Sequence, residues 1–395
     1  MKSGVSHILL IMMLLFGSVA QSVAQINSKN YEIEARMHYG YMYFQNDESH
    51  SALGRYCGHT PSFEFSLHCN TYGMHRWEVL HNYPAIGLTF YYSGLNGSQY
   101  CDELGQVFAL YPFINFPINT SEDSKITFKL GVGLSYLTKK YEPLENFHNY
   151  AIGSHVNAAI NLSFEYRQRF TDRLFWVNSF GLTHFSNGAT RTPNMGINII
   201  SLASGFSWYL RDPKDHLDKR LRPKNYLFEF DGKKYLVSDI QYTLGFKDMS
   251  QQYATHDYFF IHDIAGNVMF QVSERDRLGV GAEYVNDKSG NISHPGWTNE
   301  IGMLLSYEMM LDRVSFMFNV GLRNNEALPA NAFLFYQKLG LRYYISDNYF
   351  ACLSFTTYDI KADFLSIGIG RHFNHKYYLP KHEKKSRTPG YLRRH

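Results

Sequence analysis

Long hydrophobic runs are missing from this sequence beyond its first residues. Nowhere else is a stretch apolar enough to cross a bilayer as a helix, which takes roughly 20 residues, and the mean hydropathy is −0.32. Charge of one sign is missing too: 38 Lys and Arg against 35 Asp and Glu leave a net charge of +3. With no basic helix or nucleic-acid motif beside it, that balance excludes a nucleic-acid binder. Cysteine is scarce, and Cys57, Cys69, Cys101 and Cys352 lack the paired short spacing of a zinc site. No other metal-ligand constellation is visible, so neither metal nor cofactor is expected. Cys57 and Cys101 fall in predicted outer loops, where a bridge and free thiols are both open.

Aromatic residues are what the chain has in excess. Its 30 phenylalanines and 31 tyrosines recur at every other position, in segments bounded by Gly, Asn, Asp or Ser. A period of two is the strand period. In a membrane β-barrel the lipid-facing and lumen-facing residues alternate in this way, which hides the apolar face from any averaged hydropathy.

Residues 1–24 have the layout of a cleaved secretory signal peptide: Lys2, an apolar run Ile8–Phe16, and the small residues Ser18-Val19-Ala20 and Ser22-Val23-Ala24. Cleavage is expected after Ala20 or Ala24, neither of which is followed by cysteine, so a lipid anchor is not expected. Strands are expected over 31–45, 61–69, 83–93, 106–118, 125–141, 154–170, 174–187 and 194–210, making a first repeat of eight strands within 25–212. A charged linker at 213–225 follows. Strands over 234–247, 258–272, 277–286, 298–310, 313–323, 333–344, 348–358 and 363–373 then make a second eight-strand repeat within 226–375, and a basic tail occupies 376–395. Phe164–Phe175 (FEYRQRFTDRLF) and Leu341–Phe350 (LRYYISDNYF) share a strand, polar turn, strand layout, which argues for internal duplication. The fold class is an all-β antiparallel transmembrane barrel of about sixteen strands. Two small barrels are preferred over one wide one, because the first half carries charges of both signs on its lumen face.

Alternation assigns those faces. Ile126, Phe128, Leu130, Val132, Leu134 and Tyr136 share one side of a strand, and Lys125, Thr127, Lys129, Gly131, Gly133 and Ser135 the other. In the next strand His155, Asn157, Asn161, Ser163, Glu165 and Arg167 fall in the lumen set. With the N-terminus periplasmic, the turns 120–124 and 171–173 are periplasmic and the connection after the seventh strand is extracellular. The connection Asn70–Asn82 is longer than that scheme accommodates.

One segment carries chemistry. Residues 182–198 read LTHFSNGATRTPNMGIN, with His184 and Ser186 two apart on one strand face, where an imidazole can take a hydroxyl proton and activate the serine. In this strand Leu174, Trp176, Phe180 and Leu182 set the lipid parity, so His184 and Ser186 point outward, as does Asn198 in the eighth strand. Polar groups facing lipid are costly in a purely structural barrel and suit an enzyme whose substrate is a lipid. Ordinary loop polarity at a strand end is the plainer alternative.

HFSNG followed by PNMGIN resembles the lipid A 3-O-deacylase family of small outer-membrane barrels, also grouped as acyloxyacyl hydrolases, over about residues 30–210. The resemblance implies a serine esterase in the bacterial outer membrane that removes an ester-linked acyl chain from lipid A of outer-leaflet lipopolysaccharide, without a cofactor. Ser186 matches the family nucleophile and His184 the base. Asn198 stands where the family has an acid, and Asn187 and Asn194 match asparagines suited to binding the oxyanion. The second repeat lacks the block: Phe355-Thr356-Thr357 aligns with Leu182-Thr183-His184, which marks it as a noncatalytic copy. A noncatalytic channel, adhesin or scaffold, and a phospholipase, are the competing readings.

Overall fold

The computed structural model describes residues 31–44, 57–73, 75–95, 103–121, 123–211, 235–248, 258–289, 298–324, 333–358 and 361–376. The expected signal peptide, linker 213–225, basic tail beyond 376 and Cys101 lie outside the described residues. Sixteen strands close into two separate eight-stranded antiparallel barrels, in accord with the preference for two small barrels.

The first barrel is an up-and-down meander of β1 (Tyr31–Tyr43), β2 (Gly58–Asn70), β3 (Ala85–Ser93), β4 (Val107–Thr120), β5 (Ser124–Leu137), β6 (Val156–Arg169), β7 (Leu174–Ser186) and β8 (Ile197–Tyr209), with β1 closing on β8. The second consists of β9 (Tyr235–Asp248), β10 (Tyr258–Gln271), β11 (Asp276–Asp287), β12 (Asn299–Leu311), β13 (Val314–Asn324), β14 (Phe333–Tyr344), β15 (Tyr349–Tyr358) and β16 (Lys361–Lys376), and closes between β16 and β9. The two sequence segments that suggested duplication form the same tight turn. Phe170 and Thr171 N–H donate to Leu174 O at 2.8 and 3.0 Å, and Ile345 and Ser346 N–H donate to Tyr349 O at 2.9 and 3.2 Å.

Outward residues are apolar and exposed, as in Met37, Tyr39, Phe164, Phe180 and Leu202, while the alternate set is buried. Charge fills both lumens. In the first, Arg36 binds Glu34 at 3.1 Å, Glu64 at 2.5 Å and Glu165 at 2.8 Å, and Lys129 binds Glu64 at 2.6 Å. Arg167 joins Glu34 at 2.7 Å and also pairs with Glu32. In the second, Arg342 spans Asp239 at 3.0 and 3.1 Å, Arg277 binds Glu308 at 2.9 Å, and Lys338 pairs with Asp263 and Glu283. A buried charge persists only when paired and hydrogen-bonded, so each network depends on all its members. His155, expected in the lumen, precedes β6 and stacks on lipid-facing Tyr136 with ring centroids 5.5 Å apart. Its Nδ1–H donates to Leu137 O at 2.7 Å. A residue just outside a strand is not bound by the pleat.

The long Asn70–Asn82 connection is explained by the second barrel. It contains the short helix α1 (Arg76–Leu80) and docks on the turns at the same end of the second barrel. Arg76 pairs with Glu274, Arg275 Nη1 donates to Leu80 O at 3.2 Å, and His81 Nε2–H donates to Met310 O at 2.9 Å.

Candidate functional site

The site forms where β7 and β8 end at the long-loop rim of the first barrel. The ladder sets His184 directly opposite Asn198, and its last pair is Phe185 with Ile197. Phe185, Ile197 and Ile199 point inward and are fully buried with Tyr91 and Met42 in an apolar plug. That plug fixes the backbone from which His184, Ser186 and Asn198 project outward. On the other side of β7, Ala158 and Ile160 lie opposite Ser186 and His184.

His184 Nδ1–H donates to Asn198 Oδ1 at 2.7 Å. This bond leaves Nε2 as the basic nitrogen and fixes the ring plane, which is what the third member of a hydrolase triad does. Gly196 packs against the same ring. A Cβ there would come within 2.8 Å of His184 Cε1, and the backbone has φ +76°, a conformation that glycine adopts without strain. Ser186 Oγ makes no hydrogen bond to the imidazole among the described residues. Nucleophile and base commonly close up only when substrate binds.

Ser186 has the outward parity expected of it, but it does not meet lipid. It is only 3% exposed. Parity gives a side chain's direction; tertiary packing decides what covers it.

The loop 187–196 is held by its own asparagines. Asn187 N–H donates to Asn194 Oδ1 at 3.0 Å, and Asn187 Nδ2 donates to Ser154 Oγ at 2.9 Å and to Arg191 O at 2.8 Å. The β5–β6 connection braces it further: Gly196 N–H donates to Ala151 O at 3.0 Å, and a Cβ on Gly153 would stand 2.8 Å from Thr192 O. Asn194 Nδ2 is left over, buried and without a hydrogen-bond partner. An unsatisfied buried donor costs about 1–3 kcal/mol, and its presence beside a candidate nucleophile is what an oxyanion site requires before substrate arrives. Of the two asparagines singled out in sequence, Asn187 has its amide committed to the loop and Asn194 has a donor free.

In the second barrel β15 ends at Tyr358 and β16 begins at Lys361, with two residues between them where β7 and β8 have ten, and Thr357 stands where His184 would align. Ser154 and Gly153 carried no recognisable signal in sequence, since each acts through a neighbour brought up by folding, and Gly196 is recognisable there only as part of the motif PNMGIN. Among the described residues no cluster of metal-ligating side chains occurs.

Comparison with known proteins accords with this division of the chain. Residues 62–207 match the model of the lipid A 3-O-deacylase family, and residues 237–375 match that of the acyloxyacyl hydrolase C-terminal domain. No curated protein matches. Solved structures that the chain matches include a BenF-like porin from Pseudomonas fluorescens Pf-5, at 7% identity and TM-score 0.24, covering 89% of this chain and 100% of that one. OccAB4 of Acinetobacter baumannii is similar at 10% identity and TM-score 0.25, covering 89% and 99%. The two family matches fall one on each barrel: the first barrel is similar to the lipid A 3-O-deacylase family and the second to the acyloxyacyl hydrolase C-terminal domain.

Proposed function

We propose that the protein is a serine esterase of the bacterial outer membrane that cleaves an ester-linked acyl chain from lipid A of outer-leaflet lipopolysaccharide. The observation that carries the reading is the His184 Nδ1–Asn198 Oδ1 bond of 2.7 Å on the strand face that also bears Ser186. His184 Nε2 takes the Ser186 hydroxyl proton as Oγ attacks the ester carbonyl. Asn194 Nδ2, the donor without a partner, stabilises the oxyanion that forms. A donor of this kind contributes a few kcal/mol to the transition state. The sugar hydroxyl leaves with the proton held on Nε2, and a water activated by the same nitrogen then hydrolyses the acyl-serine. Asn198 holds the imidazole in place but, as an amide, gives the imidazolium less support than a carboxylate would.

The belt of exposed aromatic and aliphatic side chains fits a lipid surface, and the site at the long-loop rim fits a substrate in the outer leaflet. Both lumens are packed with paired charges, which does not suit a channel. Incubating the purified protein with lipid A and, separately, with phospholipid, then weighing products by mass spectrometry, tests the reading. Release of fatty acid from lipid A supports it; release from phospholipid alone would make the protein a phospholipase, and release from neither would leave it noncatalytic.

A further inference from the structure

The second barrel touches the loop 187–196 that follows Ser186, through bonds and not only packing. Asp248, at the end of β9, is 1% exposed. Its Oδ2 accepts the Thr192 N–H at 3.0 Å with Thr192 Oγ1 at 3.5 Å, and its own N–H donates to Ala189 O at 3.0 Å. Tyr258, which opens β10, accepts a hydrogen bond from Arg191 Nη1 at 3.0 Å. Gly188 lies against the outer wall of β15 and β16, where a Cβ would come 3.3 Å from Phe355 and from Leu365. Gly188 and Ala189 both have positive φ, +65° and +60°. Ala189 is not a residue that adopts this conformation freely, so the turn depends on what grips it. The first barrel grips one side of the loop through Asn187, Ser154 and Gly153, and the second barrel grips the other.

We propose that Asp248 is a positioning residue for the reaction: by holding Ala189 and Thr192 it fixes the turn between Ser186 and Asn194, making the second barrel a working part of the active site. The proposal rests on the esterase reading above. The loop sets the distance from the Ser186 hydroxyl to the Asn194 amide, and a displacement of about 1 Å in such a pair costs on the order of 10²-fold in rate.

The test uses the full chain with Asp248→Ala, Asp248→Asn and Arg76→Ala, the last removing one contact between the barrels at the opposite rim. Three quantities are measured: fatty acid release from lipid A, labelling of Ser186 by a fluorophosphonate, and trypsin cleavage after Arg191. Asp248→Ala is expected to lower kcat roughly 10- to 100-fold with KM within about twofold, to slow labelling and to speed cleavage after Arg191. Asp248→Asn, whose amide oxygen still accepts the Thr192 N–H, recovers most of the rate. Arg76→Ala leaves all three as in wild type. Wild-type kcat and cleavage in Asp248→Ala, or an equal loss in Arg76→Ala, would overturn the proposal. A wild type that neither releases fatty acid nor labels would instead sink the esterase reading beneath it.

Discussion

Asn198 Oδ1 lies 2.7 Å from His184 Nδ1, straight across the β7–β8 ladder. The amide oxygen can only accept here, so the proton sits on Nδ1 and Nε2 is left as the unprotonated nitrogen. Asn198→Ala should therefore lower kcat by roughly 10- to 100-fold, since an orienting bond is lost while nucleophile and base remain. Asn198→Glu should preserve or raise the rate, because a carboxylate stabilises the imidazolium formed as serine attacks. Rates of fatty acid release from lipid A decide the order; a slower Asn198→Glu than Asn198→Ala contradicts the assignment.

Ser186→Ala and His184→Ala should each reduce deacylation by roughly 10³-fold or more. Both should keep the heat-modifiable mobility of a closed barrel, for the ladder around them is backbone and the plug beneath is Phe185, Ile197 and Ile199. Full activity in Ser186→Ala would mean the nucleophile lies elsewhere.

Gly196→Ala places a methyl 2.8 Å from His184 Cε1 at a φ of +76°. The ring has to turn away from Asn198 or the loop has to shift. The expected result is a folded barrel with kcat reduced about tenfold or more, and slower fluorophosphonate labelling of Ser186. An unchanged labelling rate would show that the imidazole does not depend on this contact.

Arg36→Ala leaves Glu34, Glu64 and Glu165 short of a partner inside the first barrel. Removing one member of a buried charge network costs about 3–5 kcal/mol. Urea unfolding should register that loss, whereas Met37→Ala, one position along and 72% exposed toward lipid, should register almost none. Equal effects would contradict the assignment of faces.

His81 sits between the barrels at the short-turn rim, donating to Met310 O at 2.9 Å. Burial pushes its imidazole below the usual histidine range, and the Met310 carbonyl only partly offsets that. The folded state thus binds this proton less readily than the unfolded chain, and its stabilising contribution is present above the unfolded value of about 6.5 and is lost as pH falls toward the folded one. Between pH 7 and pH 5 the thermal midpoint of wild type should drop further than that of His81→Gln. Parallel midpoints would rule out the linkage.

Strand number, order and faces were legible in the sequence because a barrel wall repeats with a period of two and every strand pairs with its chain neighbour. Ile126 to Tyr136 could be set against Lys125 to Ser135 without any coordinates. The outward parity of His184 and Asn198 came from the same rule. Ser186 shows where that rule stops: its direction follows from its strand, but its burial, at 3% exposed, is set by tertiary packing that the pleat does not constrain. The docking of Asn70–Asn82 on the second barrel, and of Asp248 on Thr192 and Ala189, was decided by tertiary structure alone. These bonds join residues with no periodic relation in the chain and form only once two closed cylinders stand side by side.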